Sequence, residues 1–100
     1  MATELVLTGR TVTASEAMQL GLITRLEEEP LKVARELADS IAEKSPDATR
    51  RGKRLLRDSM GLSVADGLKM EAQLQSELIG TPNQIEAAMA NLQKRTAKFS

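Results

Sequence analysis

Carboxylates are the candidate acid–base groups of this chain, because it contains no histidine and no cysteine. Without cysteine there is no thiol nucleophile, no thiolate metal ligand and no disulfide framework. Without histidine the usual general base and the commonest metal ligand are also missing. Glu4, the run Glu27-Glu28-Glu29, Glu71 and Glu86 remain to be weighed. A carboxylate held against a substrate can serve as general acid or base. The plain reading of Glu27-Glu28-Glu29 is a solvated turn entering a helix, and the other three read as surface or ion-paired helix residues.

The cations invite a second chemistry. Arg50, Arg51, Lys53, Arg54 and Arg57 form a basic run, with several at three- and four-residue spacing along one helix face. Such a run suits a phosphate backbone. Against that reading stand the balance of 14 basic against 14 acidic residues and a single aromatic, Phe99, to stack on bases. A solvated helix face opposite Leu55-Leu56 is the simpler reading. The glycines fit neither a dinucleotide-binding nor a P-loop pattern, and Met18, Met60, Met70 and Met89 sit at or near apolar stripes as core fillers.

The elements that must carry these groups are helices. Leu5-Val6-Leu7 is closed by Thr8-Gly9, where glycine supplies a left-handed helix end. Thr11-Val12-Thr13 is β-branched and extended. Thr13 and Glu16 have capping-box spacing, Ala17, Met18 and Leu20 line one side of a short helix, and Gly21 stops it. After the acidic run, Pro30 opens a helix striped by Leu31, Ala34, Leu37, Ala38, Ile41 and Ala42. Ser45-Pro46-Asp47 caps the next helix, which reaches about Met60 before Gly61. Ser63 and Asp66 start another that reaches Gly80. Thr81 and Gln84 cap the last, striped by Ile85, Ala88, Met89 and Leu92.

The segment from Glu4 to Ile23 resembles the enoyl-CoA hydratase/isomerase (crotonase) superfamily. The family pattern there is approximately A-x-E-L-x-L-T-G-R/D-x-x-x-A-x-E-A-x-x-x-G-L-V. The chain supplies Glu4, Leu5, Leu7, Thr8, Gly9, Arg10, Ala14, Glu16, Ala17, Gly21 and Leu22, with Ile23 for the usual valine. Ser45-Pro46, Lys53-Arg54-Leu55-Leu56, Glu71-Ala72, Asn83-Gln84, Glu86-Ala87 and Lys94-Arg95 with Phe99 follow in the order of the family's C-terminal part.

The resemblance implies a C-terminal portion of such an enzyme. Its paired glutamates and glycine-rich oxyanion hole belong upstream, so no catalytic residue is assigned here and none of Glu4, Glu71 or Glu86 is expected to catalyse. The parent reaction would be hydration or isomerisation of a 2-enoyl-CoA, with the thioester as substrate and no separate cofactor or metal. Lys94 is the one ligand residue carried over. In the family this lysine lies on the last helix and meets coenzyme A, a role that suits a flexible ammonium with three donors. An exposed lysine with no ligand is the plain alternative. Asn91 stands where many hydratases have an aromatic residue, which removes one wall of the expected acyl site.

The expected fold is therefore mainly α, the C-terminal helical region of a crotonase-like α/β fold. It has about five helices and one or two short extended segments. Residues 1–26 close the core and residues 27–100 form a helical assembly region. A chain of 100 residues with one aromatic buries a small share of its surface, which points to stability borrowed from partner subunits. A homo-oligomer and an acyl-CoA ligand are the expected partners, and nucleic acid and membrane are not. No apolar run approaches spanning length and no leader pattern opens the chain, so the expected location is cytoplasmic, with an organelle matrix left open. The alternative function is a non-catalytic helical module for self-association or docking.

Overall fold

A computed structural model describes residues 1–100 and contains six helices and no strand. They are α1 (Ala2–Thr8), α2 (Ala14–Gln19), α3 (Pro30–Ala42), α4 (Pro46–Asp58), α5 (Val64–Ser76) and α6 (Pro82–Leu92). The mainly helical expectation is met. Thr11-Val12-Thr13 pairs with no other segment, although Thr13 itself is extended as the cap of α2. The fourth and fifth helices stop earlier than their apolar stripes suggested, at Asp58 and Ser76. No helix is long and apolar enough to cross a membrane.

The helix ends follow local chemistry. Gly9 has φ 58° and its N–H donates to the Leu5 carbonyl, closing α1 in a conformation that costs a residue with a Cβ about 1–2 kcal/mol. Thr13, Ser45, Ser63 and Thr81 each accept a hydrogen bond from the backbone N–H three residues on. The capping boxes are completed differently from the usual reciprocal pattern. Glu16 turns its carboxylate to Arg10, at 2.8 Å. Gln84 reaches past Thr81 and accepts from the N–H of Gly80 at 3.1 Å.

Two compact units divide the chain inside α3, residues 1–36 and 37–100. Ala17 is the buried residue of the first. In the second, α4 packs against α5 and α6, and Leu74, Ala90 and Asn83 are buried. Many large apolar side chains are exposed. Leu31, Leu37 and Ile41 on α3, Leu56 on α4, Val64 and Leu68 on α5, and Leu92 on α6 are all exposed. These are the stripes that the sequence marked for burial. Within this chain they have no cover.

Candidate functional site at the carboxyl end of α6

The site is built on α6 and the segment that follows it. Thr81 caps the helix and Pro82 occupies its first turn, where a missing N–H costs nothing. Gln93 is the C-cap, and Lys94 follows it outside the helix with φ 52°. Lys94 N–H donates to the Asn91 carbonyl at 3.2 Å, and Arg95 N–H donates to the Ala90 carbonyl at 3.0 Å. This pair of bonds is the Schellman arrangement, which satisfies carbonyls that the helix leaves orphaned. Its left-handed position is usually glycine. Here it is lysine, the chain's single non-glycine residue with positive φ.

That placement corrects the expectation that Lys94 lies on the last helix. The helix ends two residues before it, because the two Schellman bonds replace the i to i−4 ladder with a reversal. The consequence is favourable for a cation: it sits beside the negative end of the helix dipole. Lys94 is exposed, and its ammonium takes part in none of the chain's ion pairs.

The chain then runs back beside α6, held by two of its side chains. Glu86 meets Arg95 through both carboxylate oxygens, with Arg95 Nη2 at 3.0 Å from Oε2 and Nη1 on Oε1. Glu86 Oε1 also accepts the backbone N–H of Lys98 at 2.9 Å. The Arg95 guanidinium and the Lys98 N–H together hold the Glu86 carboxyl well below its usual value, at about 2. Arg95 is in turn oriented by Gln93, whose Oε1 accepts from Nε at 2.6 Å.

One turn earlier on α6, Asn83 is 5% exposed and joins three segments. Its Nδ2 donates to Asp47 Oδ2 on α4 at 2.9 Å and to the Ser100 carbonyl at 3.0 Å. Its Oδ1 accepts from the Ser100 N–H at 3.0 Å and from the Ser100 hydroxyl at 3.4 Å. Every donor and acceptor of the amide is used, as burial requires. Phe99, between the two anchored positions, is half-buried.

The other candidate residues are not gathered at this site. Glu4 lies exposed on α1, with its carboxylate 3.5 Å from Arg10. Glu27 to Glu29 are exposed ahead of α3, and Glu29 lies 3.8 Å from Lys32. Glu71 is exposed on α5 beside an apolar groove of about 360 Å³ lined by Leu55, Leu62 and Leu68. In the basic run Arg51 pairs with Glu77 at 3.1 Å, and Arg54 and Arg57 both pair with Asp58. Glu86 belongs to the site, as an anchor. Sequence reasoning passed over Asn83 except as one member of a motif. Its partners lie 36 and 17 residues away, so no local pattern identifies them.

Comparison with known proteins places the chain in a family. The model of the enoyl-CoA hydratase/isomerase family matches residues 1–100. The 2,3-dehydroadipyl-CoA hydratase of Escherichia coli is 37% identical over 99% of this chain, and the match covers 40% of that protein. A solved structure of a candidate enoyl-CoA hydratase/isomerase from Mycobacterium abscessus superposes with a TM-score of 0.91 at 35% identity, covering 99% of this chain and 42% of the other. The enoyl-CoA hydratase of Bacillus anthracis superposes with a TM-score of 0.90 at 32% identity, covering 98% and 39%. The chain belongs to the enoyl-CoA hydratase/isomerase family. It spans about 40% of the length of these relatives.

Proposed function

We propose that this chain is the C-terminal helical portion of an enoyl-CoA hydratase/isomerase, that its exposed helices mediate assembly, and that Lys94 contacts coenzyme A. The observation that carries the reading is the pairing of an end-to-end family match with apolar helix stripes left open. A free-standing domain covers such stripes, because each exposed leucine forgoes about 1.5–3 kcal/mol of burial. A portion of a larger assembly presents them to the rest of its fold or to another subunit. The parent reaction is reversible hydration of a 2-enoyl-CoA or migration of its double bond.

Lys94 supports the coenzyme A contact in a particular way. Glycine would close α6 at lower energy, and the lysine instead brings a long cationic side chain to this position. That side chain is exposed and unpaired, which suits phosphate or carbonyl oxygens of the ligand. Asn91, one turn back on α6 and also exposed, leaves this side of the acyl site polar.

Incubating the purified chain with crotonyl-CoA and following the enoyl thioester absorbance tests the catalytic part. No loss above buffer is the expected result. Turnover abolished by replacing Glu4, Glu71 or Glu86 with glutamine would sink the reading. Sedimentation equilibrium tests the assembly part, with self-association expected and a stable, well-folded monomer counting against it. That monomer would favour the independent helical module.

A further inference from the structure

The contacts around Lys94 have a division of labour that the ligand reading leaves unused. Lys94 is unpaired, while the residues on either side of it are bound tightly. Gln93 and Glu86 fix Arg95, Glu86 fixes the Lys98 backbone, and Asn83 fixes Ser100. Glu86 and Asn83 are three residues apart on α6, so they stand one above the other on the same face. The stretch from 95 to 100 therefore runs along that face with anchors at its start, middle and end. A left-handed backbone is costly for a lysine. The two Schellman bonds make the reversal, and the anchors downstream hold the chain beyond it.

We propose that Glu86 and Asn83 are positioning residues, which clamp residues 95–100 along α6 and thereby present the free Lys94 ammonium to a coenzyme A thioester. This rests on the reading that Lys94 contacts coenzyme A. Neither Glu86 nor Asn83 touches the ligand in this scheme. Glu86 has no free oxygen to offer it, since Arg95 and Lys98 take both, and Asn83 is buried. Asp47 extends the clamp to α4, because it accepts the second Asn83 N–H. The ligand end of the segment is thus tied to the packed helices and not only to its own turn.

Two measurements on the full chain separate the clamp from the ligand contact. The first is amide hydrogen exchange. Glu86→Gln and Asn83→Ala should each speed exchange at Lys98 and Ser100 by about tenfold or more, while the amides of α5 stay within about twofold. The second is titration with coenzyme A itself up to millimolar ligand, read from the phosphate resonances of the ligand so that variants lacking Lys94 can be compared. Glu86→Gln should weaken binding by about three- to tenfold. In a Lys94→Met background it should weaken it no further. A variant that merely loosened the fold would lose affinity in both backgrounds.

Unchanged exchange at Lys98 and Ser100 in both variants would overturn the clamp. Faster exchange with unaltered coenzyme A affinity, while Lys94→Met loses it, would overturn the positioning role and leave the Lys94 contact standing. If the coenzyme A resonances do not respond to the unmodified chain, the Lys94 contact fails and the positioning role with it, whatever exchange reveals of the clamp. Should Glu86→Gln unfold the chain, Arg95→Lys provides the second variant. It keeps the charge and loses the two-pronged geometry, and the same double test with Lys94→Met decides the outcome.

Discussion

The first 36 residues and the last 64 use similar side chains to different ends. In the first unit Arg10 holds Glu4 and Glu16, and its partners are at most six residues away. All of these groups are more than a third exposed. Exposed pairs of this kind organise a turn and add little to stability, because water screens them and long side chains lose freedom in meeting. In the second unit Arg51 meets Glu77 across 26 residues, and Asn83 meets Asp47 across 36. Closing such separations costs chain entropy, so these contacts persist only where helices already pack. The Asn83–Asp47 bond is part-buried, whereas Glu77 is as exposed as Glu16 of the first unit. The comparison teaches that the long-range polar pairs of the second unit record its tertiary structure, whereas the pairs of the first record its local sequence.

The sharpest way to break the contrast is through the buried apolar group of the second unit. Leu74→Ala should destabilise residues 37–100 by about 2–4 kcal/mol, since Leu74 is 5% exposed and its loss leaves a cavity. Site-resolved hydrogen exchange would check this, with the amides of residues 1–36 keeping their protection. Equal loss in both units would mean that they unfold as one. Next comes Asn83→Ala, expected to cost about 1–3 kcal/mol because Asp47 and Ser100 lose their partner at a buried position. Urea unfolding followed by helical circular dichroism measures it, and a cost near zero would make Asn83 incidental.

A smaller effect of opposite sign is expected at the helix end. Lys94→Gly should stabilise the chain by about 1 kcal/mol, by relieving a left-handed backbone that glycine adopts freely. The same change should weaken the response to coenzyme A to the level of Lys94→Met. A variant that gains stability and loses affinity would mark Lys94 as a residue kept for function at a cost in stability.

The last test compares one carboxylate from each unit during acid titration. Both Glu16 and Glu86 are held below the usual carboxylate value, Glu16 chiefly by its hydrogen bond to Arg10 and Glu86, at about 2, chiefly by Arg95. A depressed carboxyl supports the fold above its ordinary value near 4.5 and loses that contribution as pH falls through its folded value. Residues 95–100 should therefore stay bound at neutral pH and release progressively between about pH 4.5 and 2, as side-chain carboxyl resonances and Lys98 exchange would report. Glu16 protonation should alter no exchange beyond its own turn. Release of the segment well above pH 4.5 would remove Glu86 as its anchor.

Much of the helical framework was legible because its signals act over three or four residues. Thr13, Ser63 and Thr81 announce helix starts through a hydroxyl that reaches an N–H one turn away. Gly9, Gly21 and Gly80 announce reversals, and all three have positive φ. The same local logic failed where a competing group intervened. Glu16 has capping-box spacing, yet Arg10 claims its carboxylate. Lys94 reads as a helix residue, yet the bonds to Ala90 and Asn91, with the anchors at Glu86 and Asn83 beyond, turn the chain out of the helix there.

By itself the sequence determined the helical class, most of the caps and stops, the family resemblance, and the singling out of Lys94. These depend on residue type and short spacing, which survive without knowledge of packing. Only the tertiary structure decided that the apolar stripes lie open, that Asn83 joins α4 to the end of the chain, and that Lys94 sits free in a left-handed turn between bound neighbours. Burial, exposure and the meeting of groups 17 or 36 residues apart depend on which helices pack together, and no local pattern carries that information.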